Sequence, residues 1–213
     1  VGVVRLWANT SAVTQFLPHE LSEFSRANPG IRIELEEKNS NEIVLAVLEG
    51  RADIGIFADR TPTLGLQAWR YRQDQLCLVV PKDHALAHKR VARFEDVLGY
   101  DFDSLSKETS LAKRMLAETN ALGAVLKIRI QVRSFEAVCR MVSAGVGIGM
   151  VPRSALPATS ARHPLAVLEL QEPWAQRDLH ICTRQGRALS GFAAALVAHL
   201  QVCAQPLEHP ALG

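Results

Sequence analysis

Strand and helix patterns alternate twice along the chain, on either side of a polar stretch that begins after Pro81. Such alternation is typical of parallel strands joined by crossover helices, so it predicts an α/β fold. The strands are predicted at residues 3–8, 31–37, 52–57, 66–71, 75–80, 100–104, 127–133, 146–151, 165–170 and 177–184. The helices are predicted at residues 11–28, 40–49, 94–98, 106–121, 134–145 and 188–204.

The two strand–helix sets predict two lobes, because Pro81 separates them and the last segment returns to the first set. A chain of 213 residues is long for one domain and short for two independent ones. We therefore expect two Rossmann-like lobes joined by two crossings. Lobes connected in this way pivot like a hinge and leave a cleft that suits a small molecule.

Composition excludes several classes of function for this chain. Its 24 basic and 22 acidic residues give a net charge of +2 and form no basic run, so no nucleic-acid surface is expected. No apolar stretch approaches the length of a membrane helix. The four cysteines lie far apart in apolar stretches, which favours reduced core thiols and a cytoplasmic protein. The N-terminus enters a strand without a signal peptide, and we expect an upstream part to be missing.

The end of the first strand carries the first candidate binding residues, Asn9, Thr10 and Ser11. They precede a helix whose free N–H groups and positive dipole end favour an anion. All three are also good helix caps, and the residues alone favour that role. Pro18 cannot lie deep in a continuous helix, so it is expected to open a second helical piece.

The second set offers similar candidates at the ends of its strands. Ser104, Ser106 and Thr109 surround its first strand–helix turn, and Ser134 with Phe135 opens its next helix. Each hydroxyl can bind a ligand or only cap a helix.

Other features of the sequence have simpler explanations. Phe57 can form part of an apolar wall or belong to the core. The glycines of segment 145–149 follow a helix and precede a strand, which is the wrong order for a dinucleotide loop. His84 and His88 have no third metal ligand nearby. No Gly-x-Ser-x-Gly elbow and no Cys/His pairing is evident, so neither a cofactor, a metal nor enzyme activity is expected.

Several segments together resemble the effector-binding domain of LysR-type transcriptional regulators, over nearly the whole chain. The strongest signals are Gly50-Arg51-Ala52-Asp53-Ile54-Gly55-Ile56 and Ala144-Gly145-Val146-Gly147-Ile148-Gly149-Met150-Val151-Pro152, in this order with a hinge proline between them. The opening segment 5–12, Asn28-Pro29-Gly30-Ile31 and His84-Ala85-Leu86-Ala87 add to the likeness.

The resemblance implies a fold similar to type 2 periplasmic binding proteins, with lobe I at 1–80 plus 166–213 and lobe II at 81–165. It implies an effector held in the cleft by Thr10 and Ser11, with smaller roles for Asn9, Phe57 and the second-lobe residues. It further implies a dimer through this domain, a tetramer at full length, and DNA contact only through an absent N-terminal winged helix-turn-helix. We expect a small carboxylate-bearing effector. A solute-binding protein of a transport system is the alternative, because fold alone does not separate the two.

Overall fold

The computed structural model describes residues 2–58, 60–156 and 164–204. The chain forms two units: unit 1 comprises residues 1–72 and 178–213, and unit 2 comprises residues 73–177. The chain therefore passes between the units twice, once before and once after unit 2. The boundaries fall at 72/73 and 177/178 and not at the predicted 80/81 and 165/166.

The first boundary differs because residues 67–81 form one long strand, β4 (Gln67–Pro81), where the sequence predicted two. The polar segment in the middle of this strand has no glycine or proline that would turn the chain. Tyr71 and Asp74 among them are buried. The polarity of this segment reflects buried polar contacts rather than a loop, and Pro81 marks the end of the strand.

Unit 1 is built on a mixed sheet with the strand order β2-β1-β3-β10. Strand β1 is parallel to β2 and β3, whereas β10 runs antiparallel to β3. Its elements are β1 (Gly2–Ala8), a π-helix (Ala12–Phe16), α1 (Leu17–Ala27), β2 (Ile31–Glu37), α2 (Ser40–Leu48), β3 (Ile54–Ala58), the first part of β4, most of β10 (Gln176–Thr183) and α6 (Gly191–Cys203).

The core of unit 1 forms where the period-2 pattern of β1 meets the apolar faces of two helices. Leu6 of β1 and Leu196 of α6 are fully buried, and Phe24 of α1 is 2% exposed. Burial of one such side chain stabilises the fold by about 2 kcal/mol. Pro18 lies in the first turn of α1, after the π-helix, and the prediction that it opens a second helical piece is confirmed. Proline is tolerated at this position because the first turn of a helix does not use its N–H groups in intrahelical hydrogen bonds.

Unit 2 contains a sheet in which β8 is flanked by β4 on one side and β6 on the other. Strand β6 is parallel to β7 and β8, and β4 is antiparallel to β8 and β9. Its remaining elements are β5 (Val91–Ala92), α3 (Phe94–Val97), β6 (Phe102–Leu105), α4 (Ser110–Ala121), β7 (Ile128–Val132), α5 (Phe135–Ser143), β8 (Ile148–Pro152), a 3-10 turn (Arg153–Ala155), β9 (Leu165–Leu170) and a second 3-10 turn (Pro173–Ala175). Most of the predicted loop between Pro152 and Pro164 lies outside the described residues.

The glycines between α5 and β8 have the structural roles that the sequence predicted. Gly145 has a φ of +83° and donates its N–H to the Val142 carbonyl, which ends the helix. A Cβ at Gly149 would lie 2.6 Å from Val138 Cγ1, so the strand packs directly on α5. The absence of a side chain at Gly149 is therefore required for this helix–strand contact.

Each unit buries one charged cluster within its packing. In unit 1, the Glu20 carboxylate is 2% exposed and accepts hydrogen bonds from the Tyr71 hydroxyl and the Arg72 guanidinium. Burial and the neighbouring carboxylate raise the pKa of Tyr71, which therefore stays a donor. In unit 2, Asp74 and Arg177 lie 3.7 Å apart and are both buried.

The cysteines are free thiols, as predicted; Cys77, Cys139 and Cys182 are buried and Cys203 is half-buried. No helix among residues 2–58, 60–156 and 164–204 combines the length and apolar character needed to cross a membrane.

Candidate ligand-binding site

The carboxyl ends of the three parallel strands of unit 1 meet at one edge of its sheet. These strands end at Ala8, Glu37 and Ala58. The helical segment after β1 and helix α2 after β2 both begin at this edge. Because helix N-termini present free N–H groups and a partial positive charge, the edge favours an anionic ligand.

Asn9 is the residue that caps the first of these helical segments. Its side chain is 1% exposed, and its Oδ1 accepts the Ala12 N–H at 3.0 Å. Its own N–H donates to the Ile56 carbonyl of the neighbouring strand at 3.1 Å. Asn9 thus fixes the end of β1 against β3, and its amide oxygen is engaged in capping.

Thr10 presents its hydroxyl to a carboxylate at the same edge. Thr10 Oγ1 donates to Glu37 Oε1 at 2.7 Å, in an exposed position. Ser11 follows in the first helical turn and is only 3% exposed. The edge therefore already contains a hydroxyl–carboxylate hydrogen bond beside a helix N-terminus.

Sequence reasoning missed two residues of this edge, Glu37 and Ser40. Asn39 caps α2 in a reciprocal arrangement with Glu42. Ser40 Oγ instead accepts the Ala58 N–H at 3.0 Å and ties α2 to the end of β3. Both residues lie at or just after the end of β2, so to find them one must know that β2 pairs with β1 and in which register.

Phe57 packs in the core of unit 1. Its side chain is 2% exposed and lies in an apolar cluster with residues of α2. Its ring stacks on His180 of β10, with the ring centroids 5.6 Å apart. It offers little surface to a ligand, and this agrees with the core alternative.

Unit 2 repeats the same arrangement at the ends of β6 and β7, which are parallel. Thr109 caps α4 by accepting the Ala112 N–H at 3.3 Å, and it donates to the Ser106 carbonyl at 2.9 Å. Ser134 caps α5 by accepting the Ala137 N–H at 3.1 Å.

The remaining candidates of unit 2 differ in exposure. Ser104 is 5% exposed on β6, and Phe135 is 2% exposed in the unit 2 core. Ser106 is exposed. Ser106 and Ser134, at the strand-end edge, are thus accessible to a ligand, whereas Phe135 packs in the core of unit 2.

A buried carboxyl, Asp103, was not predicted, and it lies near the starting ends of β6 and β8, beside Gly147. It is 1% exposed on the central strand β6. Burial raises its pKa to about 6, and the charge of Arg129 and the Gly147 N–H partly oppose the shift, while Asp101 adds to it. Asp103 thus changes protonation close to neutral pH.

Possible metal ligands occur away from the strand ends. Glu23, His199 and Cys203 form one trio within the described part of the chain, on helices α1 and α6. His199 Nε2 lies 2.8 Å from the Glu20 carbonyl oxygen, which accounts for that ring nitrogen. Of the two histidines weighed from the sequence, His84 accepts the Leu86 N–H at 3.1 Å through Nδ1.

In each unit, parallel strands end at capped helices, and the chain passes between the units twice. These features define an α/β module for small-molecule binding. Residues 1–204 match the family model described as the LysR substrate binding domain, and the chain belongs to this family. The predicted family and fold class are therefore confirmed.

The chain resembles known proteins in sequence and in structure. It is 26% identical over 194 residues to the uncharacterized HTH-type transcriptional regulator YbhD of Escherichia coli (strain K12), a match that covers 90% of this chain and 60% of the regulator. The chain thus spans about three fifths of that relative.

Two solved structures share the fold. The regulatory domain of Synechocystis PCC6803 CcmR in complex with 2-PG has a TM-score of 0.82 and 22% identity, covering 96% of this chain and 98% of that one. The BenM effector binding domain with its effector benzoate has a TM-score of 0.73 and 23% identity, covering 98% of this chain and 99% of that one.

Proposed function

We propose that the chain is the effector-sensing domain of a LysR-type transcriptional regulator and that it binds a small carboxylate-bearing molecule through Thr10 and Ser11. The observation that carries the proposal is the hydrogen bond from the Thr10 hydroxyl to the Glu37 carboxylate at a helix N-terminus. A ligand carboxylate that replaced Glu37 as the acceptor would gain the same donor and the N–H groups of the first helical turn.

We further propose that Ser104, Ser106 and Ser134 of unit 2 take part in effector binding. The hydroxyls of Ser106 and Ser134 lie beside helix N-termini of the same kind, which suits the other polar groups of an oxygen-rich ligand. We propose that effector binding shifts the conformation of this domain and in this way alters oligomer geometry. Asn9 and Phe57 would support the site by fixing the strand ends.

Support for the wider role comes from related proteins. CcmR and BenM bear 2-PG and benzoate in the solved structures, and the relative in Escherichia coli is named an HTH-type transcriptional regulator. We propose that the full-length protein is cytoplasmic, is not an enzyme, dimerises through this domain, becomes a tetramer, and contacts DNA through a separate helix-turn-helix segment. The gene upstream discriminates this from solute transport, because a basic helix-turn-helix supports regulation and a signal peptide supports transport.

The test is a thermal-shift screen with a panel of small carboxylates, followed by titration of those that raise the melting temperature. Binding to the folded state alone must raise apparent stability. Thr10→Ala combined with Ser11→Ala is expected to weaken the affinity about tenfold or more, since each lost hydrogen bond to a charged group contributes about 1.5–3 kcal/mol.

Ser22→Ala combined with Ser25→Ala is the matched control, because it removes two exposed hydroxyls from α1 outside the strand-end edge. Full affinity in the Thr10 and Ser11 double variant would show that the site assignment is wrong. An equal loss in the control would point to a general effect on helix α1.

A further inference from the structure

Unit 1 contains a polar pocket at the other end of its strands. The pocket has a volume of about 450 Å³ and is lined by three arginines, Arg5, Arg184 and Arg187, together with Asp53 and Ser190. Asp53 precedes the first residue of β3, whereas Thr10 and Ser11 lie beyond the carboxyl end of β1. The volume is within the range that small-molecule sites occupy in proteins.

Within the pocket, Asp53 is already neutralised by Arg5. Arg5 Nη2 lies 2.9 Å from Asp53 Oδ1, and the Arg5 backbone N–H donates to Asp53 Oδ2 at 2.8 Å. The hydrogen bond between the Arg5 guanidinium and the Asp53 carboxylate raises the pKa of Arg5, although burial opposes the shift. Both oxygens of the Asp53 carboxylate are therefore bound by Arg5 of β1, and Asp53 does not neutralise the charges of the other two arginines.

Arg184 and Arg187 form no ion pair with any carboxylate of the described residues. Arg184 follows the end of β10 and lies over Gly50, with Nη1 3.3 Å from the position that a Cβ would take there. Three guanidinium groups and one carboxylate leave an excess of two positive charges at the pocket. Concentrated charge of one sign raises the local concentration of a counter-ion.

A helix N-terminus adds to this positive field. Helix α6 has 13 residues and begins at the pocket. Its cap residue Ser190 and Ala193 of its first turn line the pocket. Ser190 Oγ accepts the Ala193 N–H at 3.1 Å, so the cap is formed and the helix direction is fixed. The dipole of such a helix places about half a positive charge at its N-terminus.

We propose that this pocket is a second ligand site that binds a tetrahedral oxyanion, either inorganic phosphate or the phosphate group of a small phosphorylated metabolite. A dianion matches the two excess positive charges, and guanidinium groups bind phosphate oxygens in a bidentate manner. Ala188 and Leu189 give the pocket a small apolar wall that an organic substituent would contact. The site is separate from the effector site proposed at Thr10 and Ser11.

The experiment is calorimetric titration and thermal shift of the chain with inorganic phosphate and, in a second arm, with glycerol 2-phosphate, at constant ionic strength. Arg184→Gln with Arg187→Gln is compared with Arg26→Gln with Arg32→Gln, which removes the same charge from exposed positions of unit 1. We expect phosphate affinity to fall about tenfold or more in the pocket variant and to stay within about twofold in the control.

The arms and variants separate the possible outcomes. Tighter binding of glycerol 2-phosphate assigns the pocket to a phosphorylated metabolite, and tighter binding of inorganic phosphate assigns it to the free ion. The proposal is overturned if the pocket variant keeps its affinity, if chloride of equal ionic strength gives the same stabilisation, or if Thr10→Ala with Ser11→Ala abolishes phosphate binding instead. Should the double pocket variant unfold, Arg187→Gln alone provides the test, because that side chain is exposed.

Discussion

Replacement of Asp103 by asparagine is expected to change how the stability of the protein depends on pH. The carboxyl is 1% exposed, and burial raises its pKa from 3.8 to about 6. The folded state therefore binds more protons than the unfolded state between these two pH values. The stabilisation from this group is fully present below pH 3.8 and is lost as the pH rises through about 6.

The size of the effect follows from the shift. About two pKa units correspond to about 3 kcal/mol of unfolding free energy. Asp103→Asn keeps a neutral side chain at every pH, so its stability relative to the wild type should increase by about 2.5 kcal/mol between pH 4 and pH 7.5. Urea denaturation followed by circular dichroism, at pH steps across this interval, measures the difference.

Asp83→Asn is the control for this experiment, because Asp83 is an exposed carboxylate of the same unit. Its stability relative to the wild type should change by less than about 0.5 kcal/mol over the same interval. Parallel curves for Asp103→Asn and the wild type would refute the reasoning, since they would mean that Asp103 is ionised in the folded protein throughout.

Three further predictions concern packing, the buried charge cluster and thiol reactivity. Gly149→Ala should lower the unfolding free energy by about 2 kcal/mol in urea denaturation, whereas Gly99→Ala, whose Cβ would meet nothing within 4 Å, should change it by less than about 0.5 kcal/mol. Glu20→Gln leaves the guanidinium of Arg72 without its carboxylate and should cost about 2 kcal/mol; an unchanged melting curve would contradict this. Cys182, whose pKa burial raises to about 12, should react later than the half-buried Cys203 in native labelling mapped by mass spectrometry, and earlier labelling of Cys182 would contradict its burial.

Local chemistry made much of the fold predictable. Pro18 had to begin a helical piece because proline lacks the N–H that a helix interior requires. Gly145 had to end α5 because it accepts a positive φ that other residues resist. In both cases one residue and its immediate neighbours determine the structure, so the sequence alone was sufficient.

Features that depend on register or tertiary contacts could not be predicted in this way. Strand β4 was divided wrongly because the burial of Tyr71 and Asp74 depends on partners remote in sequence, Glu20 and Arg177. Glu37 meets Thr10 only because β1 and β2 pair in a register that matches Ala8 with Glu37.

The interruption of unit 1 by unit 2 has a consequence for the order in which the chain folds during synthesis. Strand β3 pairs with β10, so Ile56 cannot form its native pairing until Ile181 has been synthesised. Helix α6 is synthesised after β10. Unit 2 is continuous in sequence and is complete once residue 177 has been made. We therefore expect unit 1 to be completed after unit 2 during synthesis, with the apolar face of β1 that packs on α6 exposed in the interval.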